Sequence, residues 1–173
     1  IITTEVCKSY YENNKKLPKN LIPEVKKNIA KIEKRTGKKW NSKENPLLVS
    51  VRSGAALSMP GMMDTILNLG LNDDTVEGLA KKSNNPRFAW DSYRRFVQLF
   101  GKVVFGVEDK KFDEILENAK INQAVQADSA LNEKSLKTVV SEYKKICEKH
   151  TGVKFPSDPS EQLELAIKAV FGS

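Results

Sequence analysis

A chain of 173 residues, 39% hydrophobic and 29% charged, suits one globular domain or two small lobes and excludes a largely disordered segment. No run of about 18 apolar residues occurs, so there is no membrane-spanning helix. The net charge of +7 raises nucleic acid as a partner, but the lysines come as scattered doublets such as Lys15-Lys16, Lys38-Lys39 and Lys144-Lys145, without interleaved aromatics, which is the pattern of a solvated surface.

In chain order, Ile1-Ile2-Thr3-Thr4 has the character of a strand end, and a first residue that is not Met marks the chain as an expected fragment. A helix is expected over Glu5 to Glu12 after a Thr4 cap. Leu21, Val25, Ile29 and Ile32 mark one face of a second helix that Gly37 stops. From Pro46 the pattern alternates: Leu47, Val49 and Val51 point one way, and Leu48, Ser50 and Arg52 the other. Asp64 or Thr65 is expected to cap a short helix ending at Gly70.

From residue 71 to 155 the pattern is helical throughout. Asp74 and Glu77 have capping-box spacing. Asn85-Pro86 opens the next helix, with proline at its first position; Ala89, Tyr93, Phe96, Val97 and Phe100 form its core face, and Gly101 is expected to end it. Phe112, Ile115, Leu116 and Ala119 mark a shorter helix. Leu136, Val139, Val140, Tyr143, Ile146 and Cys147 mark a long one. Asp158-Pro159-Ser160-Glu161 then caps a last helix whose stripe is Leu163, Ala166, Ile167, Val170 and Phe171. Linkers are expected near Asn72-Asp73 and Phe155-Pro156. Cys7 and Cys147 read as buried hydrophobes in a reducing compartment, and His150 as a complement to a helix C-terminus.

The stretch from Ser50 to Thr65 carries the chemistry. A strand ends in Arg52 and runs into Ser53-Gly54-Ala55-Ala56, then a Pro60-Gly61 turn and the pair Met62-Met63. A guanidinium beside exposed backbone N–H groups is what phosphate binding needs. The small residues let backbone approach a ligand, and Gly61 supplies the positive φ of a type II turn. The plain alternative has Arg52 paired with a structural carboxylate and the methionines in the core. Neither the Walker loop nor the dinucleotide glycine fingerprint is present.

These residues carry a resemblance. Val51-Arg52-Ser53-Gly54-Ala55, the run Ser58-Met59-Pro60-Gly61-Met62-Met63-Asp64-Thr65, Leu67-Asn68-Leu69-Gly70-Leu71-Asn72, Asn85-Pro86-Arg87-Phe88, Asp91-Ser92-Tyr93-Arg94-Arg95-Phe96 and Ala169-Val170-Phe171 together resemble the pyruvate, phosphate dikinase family. The resemblance implies an α+β, predominantly helical chain that is part of an ATP-grasp-type nucleotide-binding domain. Residues 1–70 would belong to the α/β subdomain with the phosphate loop, 71–155 to an inserted helical subdomain, and 156–173 to a helix returning to the first.

The resemblance further implies ATP and magnesium as cofactors. The β-phosphoryl group of ATP would pass to a histidine on a swivelling domain and then to pyruvate, giving phosphoenolpyruvate, AMP and pyrophosphate. By the same resemblance Arg52 contacts the phosphates, Gly61 and Met63 belong to the loop over them, and Arg95 is a second arginine contact from the helical subdomain. Arg95 has a competing role, because Asp91 lies four residues before it on the same helix face. No catalytic residue or metal ligand is assigned in this chain: the ATP lysine is expected before Ile1 and the magnesium ligands after Ser173. The chain alone is therefore expected to be inactive, its parent a cytoplasmic homodimer without nucleic acid or membrane partners. Phosphoenolpyruvate synthase-type enzymes and glucan–water dikinases are related alternatives, but they tend to carry a second serine at Gly54 and lack the Pro60–Thr65 run. A basic helical nucleic-acid-binding module is the alternative from another class.

Overall fold

The computed structural model of the chain describes residues 1–54 and 65–172. Seven helices and one two-stranded sheet follow in order among these residues: α1 (Thr4–Glu12), α2 (Leu21–Thr36), β1 (Val49–Arg52), β2 (Thr65–Leu69), α3 (Thr75–Ser83), α4 (Pro86–Val103), α5 (Asp109–Gln123), a 3-10 turn (Asp128–Ala130), α6 (Glu133–Thr151) and α7 (Pro159–Phe171). The fold is mostly helical, compatible with an α+β class.

The amino terminus is not strand-like: helix α1 already begins at Thr4, with Thr3 as its extended cap residue. The reason lies at the far end of the chain. Tyr10 packs edge-on against Phe171, with centroids 5.4 Å apart, and the Tyr11 hydroxyl donates to the Phe171 carbonyl at 2.7 Å. Helix α2 ends at Gly37 in the left-handed region as expected, with Leu21 buried and Val25 and Ile29 half-buried, but Ile32 at the end of the expected face is exposed.

Residues 65–69 form strand β2, not the expected short helix, and pair antiparallel with β1. The pairs Val49 with Leu69 and Val51 with Ile66 show a register shift. Asn68 takes the extra residue, at φ 56. This bulge turns both Ile66 and Leu69 into the core, where both are fully buried. Gly70 does follow the end of the element, at φ 110, but as the residue after a bulged strand and not as a helix stop.

Helix α3 is capped differently from expectation. The Asp74 side chain makes no cap bond; it pairs instead with Lys43 at 3.0 Å. The Asn72 side-chain oxygen accepts from the backbone N–H groups of Asp74 and Thr75, at 3.0 and 2.8 Å. The Thr75 hydroxyl accepts from Asn72 N–H and donates to the Gly70 carbonyl. Asn85 and Asp158 cap α4 and α7 as their sequences predict, each with Pro in the first turn.

Helix α4 runs through Gly101 to Val103. Gly101 is a packing position, not a stop: a Cβ there would sit 2.6 Å from Phe112 Cζ and 2.7 Å from Cys147 Sγ. It lets α5 and α6 close on α4. Tyr93, Phe96 and Phe100 bury completely along α4, and Phe155 meets Phe96 and Phe100 edge-on. The opposite side of α4 packs on β2, and α7 packs on both strands.

One buried amide ties these parts together. Gln162 is fully buried. Its oxygen accepts from Gly70 N–H at 3.2 Å, and its nitrogen donates to the carbonyls of Leu71 and Pro156, each at 3.0 Å. Asn72 adds a bond from its side-chain nitrogen to the Ser157 carbonyl at 2.9 Å. The two expected linkers thus lie side by side, joined by hydrogen bonds.

Neither cysteine is in a disulfide; Cys147 is buried and Cys7 half-buried. Burial pushes the Cys147 thiol from 9.0 up to about 12.

Gln162→Ala strands the Gly70 N–H and two carbonyls in the core, and urea unfolding should show a loss of about 3 kcal/mol or more; a change within about 1 kcal/mol would show the knot to be dispensable. The Cys147 thiol holds its proton more tightly folded than unfolded, so its stabilising contribution is full below about pH 9 and is lost as pH rises toward about 12. The stability difference between the wild type and Cys147→Ala should therefore shrink over that window. A difference independent of pH would contradict the burial effect.

Candidate functional site

The site is built around the hairpin. Arg52 ends β1, where it pairs with Thr65, the first residue of β2. Val51 is half-buried and Arg52 exposed, as the alternation predicts. Among the described residues no carboxylate pairs with Arg52, so the structural ion pair considered as its alternative role is not found there. Ser53 follows with its hydroxyl buried and no partner among the described residues. Gly54 is exposed, and a Cβ on it would meet nothing within 4 Å. Gly61 and Met63 lie outside the described residues, as does the expected Pro60-Gly61 turn.

Arg95 projects from α4. Helix α4 lies against β2, where the Asn68 side chain donates to the Ser92 carbonyl at 3.5 Å, one turn before Arg95. Strand β2 is therefore the neighbour that Arg52 and the Arg95 helix share. The expected contact with Asp91 is present: Arg95 Nε donates to Asp91 Oδ2 at 3.2 Å. The Arg95 side chain is 59% exposed and that of Asp91 13%. An exposed pair of this spacing stabilises a helix by only about 0.3–0.5 kcal/mol.

The sequence did not disclose that Asp91 serves a second arginine. Arg94 Nε and Nη2 both reach Asp91 Oδ1, at 2.9 and 2.8 Å, and Arg94 Nη1 donates to Gln98 Oε1 at 3.2 Å. The Arg94 side chain is only 5% exposed. A signal was available: Trp90, Val97 and Gly101, all buried, stand at helical spacing from Arg94. One carboxylate between two guanidinium groups leaves a net positive charge, carried by the exposed member.

A separate cleft of about 570 Å³ lies between α4, α6 and the 154–157 segment, and includes Asp73, Trp90, Tyr93, Lys137 and Lys144. Three of its four lysines, Lys137, Lys144 and Lys145, are already engaged. Lys144 pairs with Asp73 at 2.6 Å and sits 4.9 Å from the Tyr93 ring centre; Lys137 sits 5.0 Å from that of Trp90. None of the sequence-predicted site residues lines it. Among the described residues no three His, Cys, Asp or Glu side chains converge as metal ligands, and no helix is long and apolar enough to cross a membrane.

Residues 11–172 match the family model described as the pyruvate phosphate dikinase AMP/ATP-binding domain. The chain is 56% identical over 173 residues to a protein named pyruvate, phosphate dikinase from Entamoeba histolytica, covering all of this chain and 20% of that protein. It is 51% identical over 172 residues to the protein of the same name from Giardia intestinalis, covering 99% of this chain and 19% of that one. Its identity to the chloroplastic pyruvate, phosphate dikinase of Flaveria pringlei is likewise 51% over 172 residues, with 99% and 18% covered. The chain thus spans about a fifth of the length of the curated relatives it matches. With nearly its whole length inside that model, the chain belongs to the pyruvate phosphate dikinase AMP/ATP-binding domain family.

Proposed function

We propose that the chain is part of the nucleotide-binding domain of a pyruvate, phosphate dikinase. In this reading ATP passes its β-phosphoryl group to a histidine on a swivelling domain, and that domain delivers it to pyruvate. Overall, ATP, phosphate and pyruvate interconvert with AMP, pyrophosphate and phosphoenolpyruvate. The observation that carries the reading is membership of the family across residues 11–172. That membership also favours it over a synthase-type or glucan–water dikinase and over a nucleic-acid module.

Within it, Arg52, Gly61, Met63 and Arg95 are the proposed nucleotide contacts. A loose phosphoryl-transfer transition state is helped by positioned positive charge and by exclusion of water. Arg52 suits this role because it is exposed, sits at a strand end and has no carboxylate partner among the described residues. Arg95 suits it through the net charge it shares with Arg94 and Asp91. Magnesium is proposed as the metal of the reaction, with its ligands expected outside residues 1–173.

The proposed domain is of ATP-grasp type, with 71–155 as an inserted helical subdomain between 1–70 and 156–173. An insertion needs its first and last residues close together. The bonds of Gln162 to Leu71 and Pro156, and of Asn72 to Ser157, support that arrangement. A homodimeric parent and a cytoplasmic location complete the proposal, although plant relatives are named chloroplastic.

Two isotope-exchange assays on the full-length protein test the reading. In wild type, label should exchange between AMP and ATP, and separately between pyruvate and phosphoenolpyruvate. Arg52→Ala should slow the nucleotide exchange by about 100-fold or more and leave the pyruvate exchange intact. Equal loss in both would make Arg52 structural, and absence of nucleotide exchange in wild type would overturn the dikinase reading.

A further inference from the structure

We propose that Asp91 is a positioning residue for the nucleotide site: it grips Arg95 by Nε and turns the two terminal nitrogens of that guanidinium toward a phosphate group. The inference rests on the reading of Arg95 as a phosphate contact and adds the device that aims it. Asp91 is itself fixed. Its Oδ1 holds both Nε and Nη2 of the buried Arg94, whose remaining nitrogen is bound to Gln98. With that oxygen anchored, Oδ2 has a single direction left, and Arg95 Nε lies along it at 3.2 Å.

The Arg95 terminal nitrogens carry no partner among the described residues, and its side chain is 59% exposed. Their N–H groups form the planar fork that matches two oxygens of a phosphate. A free arginine loses rotamer freedom when it binds an anion; one already held at Nε loses less. The carboxylate does not cancel the charge needed for binding, because Arg94 neutralises it from inside the fold. Asp91 therefore orients Arg95 without quenching it.

A double-mutant cycle in the full-length protein tests this, with the dissociation constant of MgATP as readout and the far-UV circular dichroism of each variant as the folding control. Asp91→Asn should weaken binding about tenfold when Arg95 is present and leave it unchanged in the Arg95→Ala background. Equal weakening in both backgrounds would mean that Asp91 acts only by supporting the fold, and would overturn the proposal. Arg95→Lys tests the same point on the exposed side, where folding is not at risk. Its one ammonium cannot occupy Asp91 and present a planar fork together, so it should bind as poorly as Arg95→Ala; affinity near wild type would show that charge alone suffices and would overturn the positioning role. If Arg95→Ala binds MgATP normally while Arg52→Ala does not, the Arg95 contact and this inference fail together and the dikinase reading stands. If both bind normally, this inference fails with the Arg95 contact, and the Arg52 assignment is decided by the exchange assays alone.

Discussion

The geometry of this chain depends on the side chain of Gln162. A fully buried amide with its oxygen and both donors in use joins three backbone groups from two distant segments. Leaving any one unpaired in the core would cost about 1–3 kcal/mol, more than an exposed ion pair contributes. The cost falls where residues 70–72 leave the sheet and residues 155–157 return. Both ends of the helical stretch are thereby fixed against β2 and α7. Helix α4, which packs on β2 from one side and on α6 from the other, inherits its orientation from that crossing.

The elements legible in the sequence were those written in local chemistry. Asn85-Pro86 and Asp158-Pro159 announced α4 and α7, and Gly37 ended α2, because caps and left-handed stops involve residues a few positions apart. The misreadings have non-local causes. The cap candidates Asp64 and Thr65 and the stop at Gly70 suggested a helix where pairing with β1, a contact across the loop, makes a strand with a bulge at Asn68. Asp74 looked like a cap because nothing local reveals that Asn72, held by Ser157 across the fold, takes the N–H groups of Asp74 and Thr75 while the Asp74 carboxylate turns to Lys43. Gln162 stands beside the apolar stripe of α7, where a polar residue suggests a solvent edge.

The site was legible to the same degree and for the same reason. Arg52 follows from strict alternation along one strand, and its exposure needs no tertiary information. The knowledge that Asp91 is buried between two arginines does need it, since the burial comes from the packing of α4 against its neighbours. Sequence spacing alone gives Asp91 and Arg95 the appearance of an ordinary surface pair. The carboxylate instead sits at the boundary of the core, where its charge requires the buried Arg94 as partner.

Two arginines in succession acquire different work from helix geometry alone. Adjacent residues point about 100° apart around the axis, so Arg94 turns into the core and Arg95 out of it. Asp91 precedes the first by three residues and the second by four, the two spacings at which side chains meet on a helix surface. One carboxylate can therefore touch both while they occupy opposite environments. The inner contact satisfies a buried charge and so fixes the acid; the outer contact uses that fixed acid to hold an exposed arginine by one edge. Moving Asp91 by one position would break one contact or the other. A buried pair and an exposed cation are thus coupled through a single side chain, on a helix whose placement the Gln162 crossing already determines.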